Sequence, residues 1–230
     1  MSEDKTKLLR QIEIFSPLTD EELEQVIHMF TIRSFKKNEI ILYEEDTNEY
    51  MYAILTGRVK VFKTTPDGKE IILAVHGTGE FFGEISLIDG NTEPATVMAM
   101  EDSVISLISR KNFYTLMLKN EKIVQNLLLI MCQRFRDAWK KIQVLNFNNA
   151  SQRIKILFMT LSEQHGRRVE DGIMLDLKLT HQEIADMAGL SRETVTRVLD
   201  RWREEGLIKI IRRKHIKLLP EFLKMDSLFT

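Results

Sequence analysis

Three side chains within residues 179–203 have the types and spacing needed to read base pairs: Arg192, Glu193 and Arg197. Arginine can pair bidentately with guanine O6 and N7, and glutamate can accept from the cytosine amino group. They share the polar side of a helical wheel with Thr196. The opposite side holds Val195, Val198, Leu199 and Trp202 at i, i+3, i+4 and i+7. A helix divided in this way packs its back on a core and leaves a polar face for a nucleic-acid groove. The same spacing also fits a solvated surface helix in which Glu193 and Arg197 pair at i,i+4.

The neighbouring residues supply elements that would position this face. Thr180 followed by Glu183 is the pattern of a capping box, and Ile184, Met187 and Ala188 continue at core-facing spacing. Gly189 can end that first helix in a left-handed conformation, and Ser191 can cap the second. So short a turn makes the two helices cross steeply, which is helix-turn-helix geometry. Beyond Gly206, a helix-ending residue, two β-rich runs (Leu207–Ile211 and His215–Leu219) flank the basic tip Arg212, Arg213 and Lys214. This pattern predicts a hairpin wing whose turn can bind phosphate.

With these residues in place, the stretch 149–219 resembles the winged helix-turn-helix domain of the catabolite-activator/FNR (CRP/FNR) family of bacterial transcription regulators. The string S-R-E-T-V-x-R, from Ser191 to Arg197, carries the likeness to the catabolite-activator-like branch. The resemblance implies base-reading roles for Arg192, Glu193 and Arg197, and DNA-backbone roles for Gln182, Ser191 and Thr194. It further implies a double-stranded palindrome with GTGA-like half-sites, a homodimer, and RNA polymerase as a partner.

Composition is consistent with such a protein. The 230 residues are 43% hydrophobic and 29% charged, enough for one sizeable core or two modest ones in a globular chain. Residues 1–148 hold 18 Lys and Arg against 22 Asp and Glu, whereas residues 149–230 hold 15 against 12. The positive excess therefore lies in the half with the helix pair, as phosphate contact requires. No apolar run is long enough to span a bilayer, and the polar start M-S-E-D-K-T-K is unlike a signal peptide. A single cysteine, Cys132, excludes an internal disulfide and fits a reducing cytoplasm.

The first half has the texture of short strands. A short helical opening at Thr6–Gln11 precedes a helix capped near Thr19, with Leu23, Val26, Ile27 and Phe30 on its core face. From Thr31 to Ser109, apolar runs such as Y-M-Y-A-I-L-T-G-R-V-K-V-F alternate with the turn signals D-T-N, P-D-G and D-G-N, predicting an antiparallel sandwich or jelly roll. Residues 77–96, G-T-G-E-F-F-G-E-I-S-L-I-D-G-N-T-E-P-A-T, resemble the phosphate-binding cassette of cyclic-nucleotide-binding domains. In that resemblance Gly83 and Glu84 take the places of the turn glycine and the ribose-binding glutamate; the other reading is a scaffold, a glycine corner and a carboxylate held in an internal ion pair with Arg134. The Arg-Ser pair that grips a cyclic phosphate aligns with Pro94 and Ala95, which bring neither a charge nor a hydroxyl. Two hydroxyl side chains that meet adenine align with Ala138 and Trp139. The cassette therefore lacks the groups for cAMP, leaving either an unidentified small-molecule effector or none.

Between the halves, Val124, Leu128, Met131, Phe135, Ala138, Ile142 and Leu145 recur at alternating steps of four and three. That spacing suits a coiled-coil seam or a helix buried within one subunit; the resemblance implies the seam of a dimer. Asn149 can cap the next helix, making 146–149 a hinge. The expected organisation is an α+β chain: a cyclic-nucleotide-binding-type β jelly roll (1–120), a dimerisation helix and hinge (121–147), and a winged helix-turn-helix domain (148–230). Four scattered histidines and a lone cysteine offer no metal spacing and no iron–sulfur ligand set; His76, before Gly77, fits a surface turn or a haem ligand. No G-x-x-x-x-G-K-[ST], G-x-S-x-G or H-E-x-x-H occurs, so no enzyme activity is expected. A cAMP-gated regulator, a nucleotide-sensing regulatory subunit and an effector-independent regulator remain as alternatives.

Overall fold

The computed structural model describes residues 8–145, 149–175, 177–211 and 215–224. It separates into two compact units, Met1–Arg136 and Asp137–Thr230, with the division inside a long helix.

In the first unit, Thr19 forms the expected capping box with Glu22 and opens α1 (Asp20–Val26). The helix ends sooner than its apolar spacing suggests. Ile27–Met29 tighten into a 3-10 turn, and Phe30 opens the first strand instead of lining the helix. Eight strands follow: β1 (Phe30–Phe35), β2 (Ile40–Leu42), β3 (Tyr50–Thr56), β4 (Arg58–Thr64), β5 (Glu70–Gly77), β6 (Phe81–Phe82), β7 (Thr96–Ala99) and β8 (Ser103–Ser109). They form two antiparallel four-stranded sheets, β1-β8-β3-β6 and β2-β7-β4-β5. Ile54, Val59, Phe82, Val97, Ile105 and Leu107 fill one cluster between them. β3 is nearly all apolar because both its faces are covered, whereas β5 alternates, burying Ile72 and Val75 and exposing Ile71 and Leu73.

Three helices complete this unit: α2 (Glu84–Asp89) in the cassette, α3 (Arg110–Lys119) and α4 (Glu121–Leu145). A second core under them joins Phe15, Leu23, Met51, Phe81, Phe113 and Ile123. The inner face of α4 is Ile123 and Leu127, with Ile130 and Met131 half-buried against the same core. The outer apolar stripe runs Leu128, Cys132, Phe135, Trp139 and Ile142, all exposed. The predicted seam shares Leu128, Phe135 and Ile142 with this stripe. It differs at Met131, which the core draws inward, and Val124 is half-buried; Ala138 is exposed beside Trp139. Two stripes one residue apart both alternate in steps of four and three, and only the packing of the inner face separates them. The Leu145 side chain lies outside the described residues.

In the second unit, Asn149 caps α5 (Ala150–His165) by accepting from Ser151 N at 2.9 Å. β9 (Gly166–Val169) and β10 (Gly172–Leu175) form a hairpin absent from the sequence expectations. Next come α6 (His181–Ala188), α7 (Arg192–Glu204), β11 (Ile208–Ile211), β12 (His215–Leu218) and α8 (Pro220–Lys224). The sheet order β11-β12-β10-β9 joins the expected wing strands to the unexpected hairpin through Ile173↔Leu218 and Leu175↔Ile216. Phe158, Trp202 and Phe222 meet edge-on or tilted, with ring centroids 5.2–6.3 Å apart, and tie α5, α7 and α8 into one core. No described helix is long and apolar enough to cross a membrane.

Candidate nucleic-acid interface and effector cassette

The helix pair has its predicted caps. Thr180 Oγ1 accepts from Glu183 N at 3.1 Å, and Glu183 Oε2 accepts from Thr180 N at 2.6 Å. Gly189 ends α6 at φ 63°, a conformation that costs an L side chain about 1–2 kcal/mol. Arg153 Nη1 donates to the Gly189 carbonyl at 3.3 Å, holding the turn against α5. Ser191 Oγ then accepts from Thr194 N at 3.2 Å and starts α7. Val195, Val198, Leu199 and Trp202 are buried, while Ser191, Arg192, Glu193 and Arg197 are exposed. Arg197 Nη2 reaches Thr194 Oγ1 at 3.4 Å rather than Glu193, so the i,i+4 ion pair of a merely solvated helix is not made. Gln182 is exposed at the start of α6, with Nε2 donating to Asp186 at 2.8 Å. Thr180, His181, Gln182 and Arg192 line a cleft with Ile210 and Ile216 of the wing strands. Thr196, expected on the outer polar face, is instead half-buried against His181, with Nδ1 and Oγ1 at 2.8 Å. Arg212, Arg213 and Lys214 lie outside the described residues.

The cassette is built around Gly83, whose φ of 79° and close neighbours (Tyr52 Cδ2 2.9 Å and Asn48 Nδ2 3.0 Å from an added Cβ) leave no room for a side chain. Glu84 follows as the first residue of α2 and is buried. Arg134 Nη1 donates to it at 3.0 Å. The same guanidinium meets Glu13 Oε1 at 3.1 Å and the Phe81 carbonyl at 2.8 Å, and stands 4.3 Å from the Phe81 ring centroid. Burial pushes the Glu13 carboxyl above its ordinary range, and Arg134 pulls it back part of the way.

In a second buried set the carboxylate is met by neutral side chains, and the Arg110 guanidinium donates only to the backbone carbonyls of Asn48 and Ser86, at 3.2 and 3.3 Å. Asn48, Ser86 and Glu93 are all at least nine-tenths buried. Asn48 Nδ2 donates to Glu93 Oε1 at 2.8 Å and lies 3.0 Å from the Gly83 carbonyl; the Ser86 hydroxyl also meets Glu93 Oε1. Desolvation raises the Glu93 pKa, the two hydrogen bonds oppose it, and the nearby Glu84 adds to the rise. Pro94 follows, exposed, and Ala95, buried. Where the resemblance calls for an arginine and a serine the loop has Pro94 and Ala95, directly after the buried Glu93 carboxylate.

The comparisons with known proteins divide the chain the same way. The cyclic nucleotide-binding domain model matches residues 32–120, and the Crp-like helix-turn-helix domain model matches residues 152–221. The "Cyclic AMP receptor protein" of Thermus thermophilus is 31% identical over 197 residues, covering 86% of this chain and 88% of that protein. The "cAMP-activated global transcriptional regulator CRP" of Escherichia coli O6:H1 is 31% identical over 194 residues, covering 84% and 91%. The chain belongs to the CRP/FNR family. Among solved structures, FixK2 from Bradyrhizobium japonicum shares the fold of this regulator with a TM-score of 0.77 at 24% identity, over 87% of this chain and 99% of that one.

As a family member the regulator is a DNA-binding transcription regulator. Of the residues singled out in its sequence, the structure brings Gly83, Glu84 and Arg134 together and presents Arg192, Glu193 and Arg197 on one helix. Ala138 and Trp139 are exposed and fall in the second compact unit. Sequence reasoning missed Asn48, Ser86 and Glu93, which lie up to 45 residues apart and meet only through the roll. The local sequence D-G-N-T-E-P-A-T reads as a polar turn and gives no sign that Glu93 is buried. Sequence reasoning also missed His181, whose pairing with Thr196 spans 15 residues and depends on the crossing angle of the helices.

Proposed function

We propose that this regulator acts as a homodimer in the cytoplasm and reads a palindrome of GTGA-like half-sites, without control by cAMP. The observation that carries this reading is the exposed trio Arg192, Glu193 and Arg197 on a helix whose back is locked into a core. Arg192 and Arg197 supply guanine-directed forks and Glu193 a cytosine-directed acceptor. Gln182, Ser191 and Thr194 hold the DNA backbone, and Arg212, Arg213 and Lys214 add phosphate contacts from the wing. The exposed stripe Leu128, Cys132, Phe135, Trp139 and Ile142 supports pairing of α4 with a second copy. Such pairing sets two α7 helices about one DNA turn apart, and RNA polymerase is the partner that a bound regulator would recruit or block.

The names of the two relatives above state cAMP, but the cassette here favours a different control. Pro94 and Ala95 leave a cyclic phosphate without a charge-assisted bond. Arg134 is engaged by Glu84, Glu13 and Phe81, and the Asn48 and Ser86 donors are engaged by Glu93. An effector-independent regulator, or one gated by a ligand other than cAMP, fits this chemistry. Selection of duplexes from a random pool by the full-length protein, followed by calorimetry with cAMP, tests both parts. The expected outcome is a GTGA-containing palindrome bound equally with and without cAMP. Recovery of an unrelated sequence refutes the half-site, and cAMP-dependent affinity refutes the reading of the cassette.

A further inference from the structure

The polar contact between the two helices of the DNA-reading pair is more specific than their apolar packing. His181 is the first residue of α6, and its Nδ1 lies 2.8 Å from Thr196 Oγ1 on α7. Thr196 Oγ1 also donates to the Arg192 carbonyl at 2.9 Å, one turn back. A threonine hydroxyl has a single hydrogen. With that hydrogen committed to Arg192 O, the His181–Thr196 contact requires the proton on the imidazole Nδ1. This arrangement favours the Nδ1–H tautomer, with Nε2 as the acceptor in the neutral form.

Position gives this bond its consequence. At 100° per residue, Thr196 falls between Arg192 on one side and Glu193 and Arg197 on the other. The buried stripe Val195, Val198, Leu199 and Trp202 holds the opposite side of α7 but is non-directional, so it resists separation better than roll. A directional bond on the polar flank resists roll about the helix axis, and roll is the motion that moves all three base-reading side chains across a base pair. We infer that His181 and Thr196 form an interhelix strut that sets the roll of α7, making both residues positioning residues for base discrimination. The inference rests on the reading of α7 as the base-reading helix.

A double-mutant cycle on the full-length protein tests it. The probe is the duplex that the wild type itself recovers from a random pool, so its sequence tests the half-site reading separately from the strut. The readout is the ratio of affinities for that duplex and a random one. His181→Phe and Thr196→Val should each lower the ratio about tenfold, the scale of one hydrogen bond. The double variant should do no worse than either, and Thr196→Ser should restore wild-type discrimination. Losses that multiply in the double variant, or no loss in either single one, overturn the strut. A second measurement needs no DNA: nitrogen NMR of the imidazole at alkaline pH. It should show the Nδ1–H tautomer for His181 in the wild type and its loss in Thr196→Val. An Nε2–H tautomer in the wild type overturns the inference even if both variants fold poorly.

Discussion

Arg197 and Glu93 mark the two kinds of charged residue in this chain, one displayed and one enclosed. Arg197 is exposed on α7, with its guanidinium 3.4 Å from Thr194 Oγ1. Arg197→Ala should cost about 1–3 kcal/mol of binding to the selected duplex and relax preference at one base pair. Electrophoretic shifts on single-position variants of the duplex measure this; an equal loss on random DNA would assign Arg197 to the backbone. Glu93 is buried with neutral donors and a raised pKa. A carboxyl that holds its proton more tightly folded than unfolded contributes stability fully present below its ordinary value of 4.5, lost as pH rises through its folded value. Glu93→Gln keeps an acceptor for Asn48 and Ser86 and has no charge to bury. The variant should therefore be more stable than the wild type at pH 7, and the difference should vanish below pH 4.5 in thermal melts. Helical spacing makes the Arg192, Glu193 and Arg197 face legible in the sequence, and the scaffold reading of the cassette, not the ribose-binding one, leads to the Glu84–Arg134 pair. Nothing local announced Asn48 as the partner of Glu93, because that contact exists only once β3 and the cassette are folded together.

Elements with strong local signals match their expectations, and the departures are a hairpin and a helix face that distant partners define. Thr19, Thr180 and Asn149 cap helices where their side chains predicted, since a cap is a contract among four consecutive residues. The hairpin of β9 and β10 escaped notice. Its strands are four residues each, and the β12 residues that pair with β10 lie more than 40 residues away. The α4 stripe was found one residue out of place at Met131 because periodicity cannot say which of two faces the core will take. The turn between α6 and α7 offers a direct check on the helix pair. Gly189→Ala forces a methyl group into a left-handed residue and should lower the stability of the second unit by about 1 kcal/mol. Differential scanning calorimetry should show the second unit melting earlier, with the first unchanged.

At the scale of the whole molecule, the proposed reading makes affinity for a palindrome depend on two copies acting together. Leu128 is 60% exposed on the outer stripe of α4, so a charge there leaves the core of the first unit intact. Leu128→Glu should yield a monomer in analytical ultracentrifugation and weaken palindrome binding by on the order of 10²–10⁴-fold, the avidity lost with the second half-site. A dimer that persists would move the interface off this stripe. The pairing of β10 with β12 has a further effect, on the making of the protein. Gly172–Leu175 precedes the two DNA-reading helices and His215–Leu218 follows them, and the two strands are hydrogen-bonded neighbours in one sheet. Leu218 and Trp202 are fully buried in the same unit. A chain halted before His215 lacks the strand that pairs with β10 and the Phe222 ring that packs on Trp202 of α7 at 5.2 Å. A chain interrupted there is expected to hold α6 and α7 without two of their packing partners, so the helix-turn-helix unit is completed only after β12 and α8 are made.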